Sequence, residues 1–360
     1  MSQLVTLFRK DPLFPKYLHG TFSDKERALP VQSLNVNTEH EQVTFQIVPI
    51  EKIEKPVFLI KWARIMKLHN LTLLGFTLFA ILIKNSVDGI AFDPALALLS
   101  AIGAFCLHIG VNLRNDYQDH INGLDRIHPQ GGSQAIQKGW ITAARVRTLS
   151  FVFLFIGIIF GLPSLFVYPE LFILIGTLAL LAIVGFSQYR MGMKYRLWSE
   201  VTIFLLLGPL LSVGYQYAIG CGFDLEVVLL GCTVGLLGAY FIHLKNFQAI
   251  LVNSQAKFHN TISELGFEKS KTFLIAWWWL FFGFLNLYHY IYAATSWFWI
   301  IFLGSLGPTI YVFKGLNQLH SPLGSKVDMT VDKNKKIGIF VLALWTLEYL
   351  SYLIVIELSS

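Results

Sequence analysis

Apolar runs recur along this chain at roughly 69–87, 92–113, 147–166, 169–188, 199–219, 225–245, 272–293, 296–314 and 336–356. Each has the ~17 to 23 residues that a helix needs to cross a bilayer. Hydrophobic residues make up 54% of the 360 and charged residues only 14%, with a mean hydropathy of +0.57. Soluble domains carry about 25% charged residues. The chain is therefore expected to be an all-α polytopic membrane protein with nine transmembrane helices.

A net charge of +6 could point to nucleic acid, but the basic residues sit between the apolar runs and report topology instead. Ten of the 28 Lys and Arg precede the first run, and connections 2–3, 4–5, 6–7 and 8–9 hold five, three, four and five. Lys84 is the one left over. The positive-inside rule then puts the N-terminus and these four connections in the cytoplasm. Cys106, Cys221 and Cys232 follow no metal-ligand spacing and read as small core residues. The first residues lack the charged, apolar and small-residue order of a signal peptide.

Residues 1–66 are expected to form a cytoplasmic extension of unassigned role ahead of a membrane domain, 67–360. Within the extension Val43–Val48 alternates like a short strand, and Trp62–His69 has the look of an interfacial helix. Trp277, Trp278, Trp279, Tyr288, Tyr290, Tyr292, Trp297 and Trp299 crowd the turn between runs 7 and 8 and read as an aromatic interface belt. His108, His243 and His289 lie in or near spans, where a hydrogen-bonded packing role and a functional one are both open.

The densest polar sequence follows the second run: Asn112-Leu-Arg-Asn-Asp116-Tyr-Gln-Asp119, then Gly123-Leu-Asp125, Gly132-Ser133 and Lys138-Gly-Trp-Ile-Thr142. On a continuing helix Asn112, Asp116 and Asp119 share one face, at i, i+4 and i+7. Two carboxylates and an amide oxygen on one stripe make a hard oxygen site of the kind that Mg2+ bridging phosphates requires. A solvated, capped helix end is the plainer alternative.

This stretch resembles the first signature of the UbiA-superfamily intramembrane prenyltransferases, and among them the 1,4-dihydroxy-2-naphthoate polyprenyltransferases of menaquinone synthesis. The resemblance implies a helical fold around a central lipid-accessible cavity, with active-site loops facing the cytoplasm, as in a bacterial inner membrane. It implies Mg2+-dependent transfer of a polyprenyl group from a prenyl diphosphate to an aromatic acceptor. Catalytic roles then fall on Asn112, Asp116 and Asp119, and metal binding on those three with Asp125. Diphosphate contacts fall on Ser133, Lys138, Asn246 and a second short match, Lys194-Tyr195-Arg196, for which a positive-inside loop is the other reading. No nucleic acid is expected as a partner.

The family's second signature, two aspartates and an arginine at the end of helix 6, is degenerate here. Its remnants are Asn246, His259, Asn260, Thr261, Leu265 and Gly266, while the aspartates fall on Ile250 and Ser254 and the arginine on Ala249. In the first signature's glycine turn, Gln134 stands where the family has arginine. Asn246, Gln248, Asn253 and Gln255 could supply neutral oxygens, Lys245 or Lys257 could replace a metal's charge, and Asp328 with Asp332 forms another acidic pair. Besides the prenyltransferase, two alternatives stand: an impaired relative that binds isoprenoid or quinone or scaffolds a partner, and a small-molecule transporter.

Overall fold

The computed structural model describes residues 3–128, 131–186, 199–256 and 260–359. The extension forms a small α/β unit: strand β1 (Gln3–Phe8), helix α1 (Phe14–His19), then strands β2 (Glu26–Leu34) and β3 (Gln42–Pro49). The sheet is antiparallel in the order β1-β3-β2, with Val5 opposite Phe45 and Ala28 opposite Ile47. The alternation expected around Val43 is present: Val43, Phe45 and Ile47 are buried and pack with Leu7, Phe14 and Leu18. Pro30 lacks an N–H donor and sits on the edge strand β2, beside a bulge.

Helix α2 (Phe58–Ile65) follows, with Val57, Phe58, Leu59 and Ile60 exposed and Lys61 and Arg64 on the same turns. The helix expected over Trp62–His69 thus begins earlier than the sequence suggests and ends earlier too. Lys67 adopts a left-handed backbone (φ 52°), which breaks the helix before the 3-10 turn Leu68–Leu71. That break turns the chain into the first apolar helix.

The rest is helical: α3 (Thr72–Val87), α4 (Pro94–Ile121), α5 (Leu124–Ile127), α6 (Ala143–Gly161), α7 (Pro169–Phe186), α8 (Ser199–Leu207), α9 (Pro209–Ala218), α10 (Leu225–Gln248), α11 (Ile250–Gln255), α12 (Thr261–Tyr292), α13 (Thr295–Asn317) and α14 (Ser325–Ser359). Among the described residues eight helical segments are long and apolar enough to span a membrane, and Ile173–Ile183 is a shorter apolar helix. Helix starts are set by local chemistry. Asp93 accepts from the N–H of Ala95 and Leu96, Asp224 from that of Glu226, and Asn260 with Ser263 forms a capping box. The fifth run is interrupted at Gly208-Pro209, where proline cannot continue the α8 hydrogen-bond ladder.

The main core joins α3, α10, α12, α13 and α14 through residues such as Phe76, Tyr240, Trp278 and Trp345. α4 and α6 approach closely where Gly103 meets Gly157: a Cβ on Gly103 would lie 3.0 Å from the Gly157 carbonyl oxygen. Small residues let helix backbones pack where lipid offers no hydrophobic drive. The expected aromatic belt is only partly a belt. Trp278 is buried and donates to Thr309, and Tyr288 is buried against Tyr349 and Glu226, while Trp279, Tyr290 and Trp299 face outward. His243 and His289 both pack as buried partners of glutamates, Glu200 at 2.8 Å and Glu348 at 2.7 Å.

The extension seats directly on the end of α4. His120 Nε2 lies 2.9 Å from the Leu18 carbonyl, and Trp140 donates to the Glu54 carbonyl at 3.0 Å. Gly123 makes the sharp exit from α4 with φ of 87°, and a Cβ there would sit 2.2 Å from Val36 Cγ1 of the extension. Gly123→Ala should therefore cost at least about 1–3 kcal/mol through overpacking and backbone strain. A clear drop in the melting temperature of the detergent-solubilised chain is the expected result.

Candidate active site

Helix α4 continues well past its apolar stretch, which places Asn112, Asp116 and Asp119 on one helix as expected. They do not play equal parts. Asn112 and Asp119 line a cavity of about 680 Å³, whereas Asp116 is buried behind its wall. After the turn at Gly123, α5 brings Asp125 back to the same cavity. The backbone at Gly132 separates two carboxylates: a Cβ there would lie 2.4 Å from Asp125 Oδ2 and 3.0 Å from Asp116 Oδ1. The Ser133 N–H donates to Asp116 Oδ2 at 3.3 Å.

Lys67, which the motif reading overlooks, is the cation of this cluster. Its Nζ forms an ion pair with Asp116 Oδ1, and both side chains are buried. Burial alone would lower the Lys67 pKa, but the carboxylates of Asp116, Asp125 and Asp119 outweigh it and raise it above the ordinary value. Lys67 is thus held as an ammonium at neutral pH. Its only mark in the sequence is position, as the last basic residue before the first apolar run.

The cavity mouth is polar on two sides. Lys67, His69, Asn70, Asn112, Asn115, Asp119, Asp125 and His128 line one side, and Lys245, Asn246, Gln248, Asn253 and Lys335 the other. Deeper in, the walls become apolar, with Leu107, Val111, Phe186, Ile203, Tyr215 and Phe241 among them. The space has the shape of an amphiphile with an anionic head and a long apolar tail. Two buried amide nitrogens at the mouth, Asn112 Nδ2 and Asn246 Nδ2, have no hydrogen-bond partner among the described residues. Buried orphan donors on a cavity wall mark a ligand position.

Other expected contacts lie elsewhere. Lys138 is exposed, with Nζ 5.3 Å from the Trp140 ring centroid, and does not line the cavity, because the Gly139 turn directs Trp140 inward and leaves the lysine outside. The Ser133 hydroxyl accepts from the Ala135 N–H at 3.3 Å and shapes the turn. Gln134, in left-handed backbone (φ 56°), donates to the carbonyls of Asp125, His128 and Gly131, so it organises the glycine turn. Lys194, Tyr195, Arg196, Lys257 and His259 lie outside the described residues. Thr261 donates to Glu200 Oε2 at 2.9 Å, behind the cavity.

Beyond Ala249, Ile250 is buried in the apolar core and does not line the cavity, nor does Ser254, whose Oγ is turned to the Ile250 carbonyl at 2.9 Å. Asp328 and Asp332 belong to the first turns of α14 rather than to a loop. Asp328 accepts from Gln248 at 2.8 Å, while Asp332 is exposed beside Lys335. They form no pair. Among the described residues no three His, Cys, Asp or Glu side chains close up as a ready-made metal cluster. Mg2+ asks for less, commonly one or two carboxylates with water and phosphate oxygens completing the shell. Asp119, Asp125 and the Asn112 amide fit one such ion, with Asp116 tied to Lys67 behind them. Among the described residues nothing comparable faces them.

The Asp-rich connection is braced from the extension. Arg126 donates to the carbonyls of His120 and Ile121 and reaches Glu41 Oε1 at 2.5 Å, and Glu41 also holds Arg9 at 3.0 Å. Arg126 and Glu41 side chains are 0% and 1% exposed. This pair fixes the turn between Asp119 and Asp125.

The family description for UbiA prenyltransferases matches residues 73–322. The chain belongs to the UbiA prenyltransferase family. It is similar to 1,4-dihydroxy-2-naphthoate octaprenyltransferase of Escherichia coli (strain K12), with 26% identity over 44% of this chain and 54% of the relative. The chain thus spans about half the length of the curated relatives it matches. In fold it is similar to a structure of digeranylgeranylglyceryl phosphate synthase, at a TM-score of 0.56 and 18% identity over 81% of this chain and 99% of that one. It is also similar to a UbiA homolog from Archaeoglobus fulgidus bound to GPP and Mg2+, at 0.55 and 13% over 79% and 98%. Lys67, the extension and the Glu41 half of the Arg126 brace precede the family match.

Glu41→Gln would leave the Arg126 guanidinium buried without its counter-ion. Breaking such a pair costs about 3–5 kcal/mol. The expected outcome is a lower melting temperature and faster proteolytic cleavage within residues 3–54.

Proposed function

We propose that this chain transfers a polyprenyl group from an allylic prenyl diphosphate to an aromatic acceptor of the dihydroxynaphthoate kind, with Mg2+, at the cytoplasmic face of a bacterial inner membrane. The observation that carries the reading is one cavity whose mouth holds Asp119, Asp125, Asn112 and Asn246 and whose depth is apolar. That combination suits a diphosphate head on an isoprenoid tail better than any soluble substrate. The curated relatives' names and the GPP- and Mg2+-bound neighbour support it.

In this reaction the allylic C–O bond breaks with its electron pair leaving on diphosphate. The allylic carbon then bonds to an electron-rich ring carbon, and the ring regains aromaticity by losing the group displaced there. Mg2+, when bound, supplies charge neutralisation to the leaving diphosphate. Asp119, Asp125 and Asn112 would hold that ion. Lys67 keeps Asp116 paired, so that the carboxylate cluster tolerates burial before substrate arrives. The apolar walls exclude water, which would otherwise capture the allylic cation.

A second reading has its own observation. With Ile250 and Ser254 where the family's second signature has aspartates, and neither of them lining the cavity, the chain could bind prenyl diphosphate without turning it over. Purified protein with Mg2+, labelled prenyl diphosphate and 1,4-dihydroxy-2-naphthoate separates the two. Transfer predicts a prenylated product, abolished by EDTA and reduced about a hundredfold or more in Asp119→Asn. Tight prenyl diphosphate binding with no product at any Mg2+ concentration or acceptor would establish the binder instead.

A further inference from the structure

The wall that faces Asp119 and Asp125 is basic. Lys245 at the end of α10 and Lys335 on α14 both line the cavity mouth, together with the orphan amide nitrogen of Asn246. Lys67, Lys245 and Lys335 all act electrostatically on His69, which also lines the cavity, against the opposing influence of Asp116. Outside the spans, burial first and then Lys245 hold the His128 imidazole below its usual pKa, against the opposing influence of Asp328 and Asp119.

Gln248 explains how Lys335 is aimed. Its amide spans from Asp328, which accepts at 2.8 Å, to Lys335, whose Nζ donates at 3.5 Å. Asp332 is 3.9 Å from the same Nζ but largely solvent-exposed, so it screens the ammonium weakly. Among the described residues that line the cavity here, a divalent cation would find neutral amide oxygens and two repelling ammonium groups, while Asp328 lies outside the lining and is engaged by Gln248. A phosphate would find charge-assisted donors.

We propose that this chain grips the diphosphate of its donor with a single divalent cation, the place of a second being taken by the ammonium groups of Lys245 and Lys335 and the Asn246 amide. The inference rests on the prenyl-diphosphate reading above and specifies how the head group is shared. One phosphate sits toward Asp119 and Asp125 with the metal, and the other toward the lysines. The loss of acidic residues at positions 250 and 254 is then a substitution of charge type rather than a loss of the site.

Inorganic pyrophosphate binding to the full-length protein tests it without turnover. Mn2+, standing in for Mg2+ and counted by electron paramagnetic resonance at saturating pyrophosphate, should bind at one ion per chain above a protein-free control. Pyrophosphate should still bind in EDTA. Lys245→Met and Lys335→Met should each weaken that metal-free binding about tenfold or more, while Lys245→Arg and Lys335→Arg retain it, with melting temperatures measured alongside. Two Mn2+ per chain, or binding in EDTA unchanged in the methionine variants, overturns the single-cation proposal and leaves the donor reading standing. Absence of pyrophosphate binding with and without metal overturns both.

Discussion

Charge neutralisation at the edge of an apolar medium governs this structure. Asp116, Asp119 and Asp125 crowd together where α4 leaves its apolar stretch, and three carboxylates there would repel one another and resist desolvation. The Lys67 ammonium placed among them makes the arrangement tenable. That placement depends in turn on the left-handed backbone at Lys67, which ends α2 and redirects the chain. A turn and a counter-ion are thus one device.

The same logic recurs around the protein. Lys84, the basic residue that the topology count leaves isolated, pairs with Asp88 and Asp224. His243 lies with Nδ1 2.8 Å from Glu200 Oε1 and Nε2 3.1 Å from the Ser270 carbonyl, which ties α8, α10 and α12 together. Arg126 and Glu41 do for the extension what Lys67 and Asp116 do for the cavity wall. In each of these pairs a buried charge meets an opposite one from a different segment, which ties segments together at the cost of desolvation.

Much of the architecture was legible because bilayer physics is restrictive. Length and hydropathy located the helices, and alternation located β3 within a polar region. The first signature was legible because its spacing matches the helical period, and α4 carries it unbroken. Which of its aspartates lines the cavity was not, since Asp116 and Asp119 share a stripe and differ only in what packs against them. Lys138 looked like a phosphate ligand by position, yet the Gly139 turn leaves it over Trp140. The aromatic cluster divided in the same way, with Trp278 inward and Trp279 outward one residue later.

The sequence alone determined that this chain crosses a membrane many times and carries an oxygen-rich stripe at one helix end, because both are written in local periodicity. Only the tertiary structure decided what that stripe faces. Lys67 lies 49 residues before Asp116, and Lys335 lies 219 after it. Contacts over such separations depend on helix packing and chain reversal, which no local pattern encodes. The cavity's two walls, one acidic with a buried lysine and one basic, exist only once the fold has brought them together.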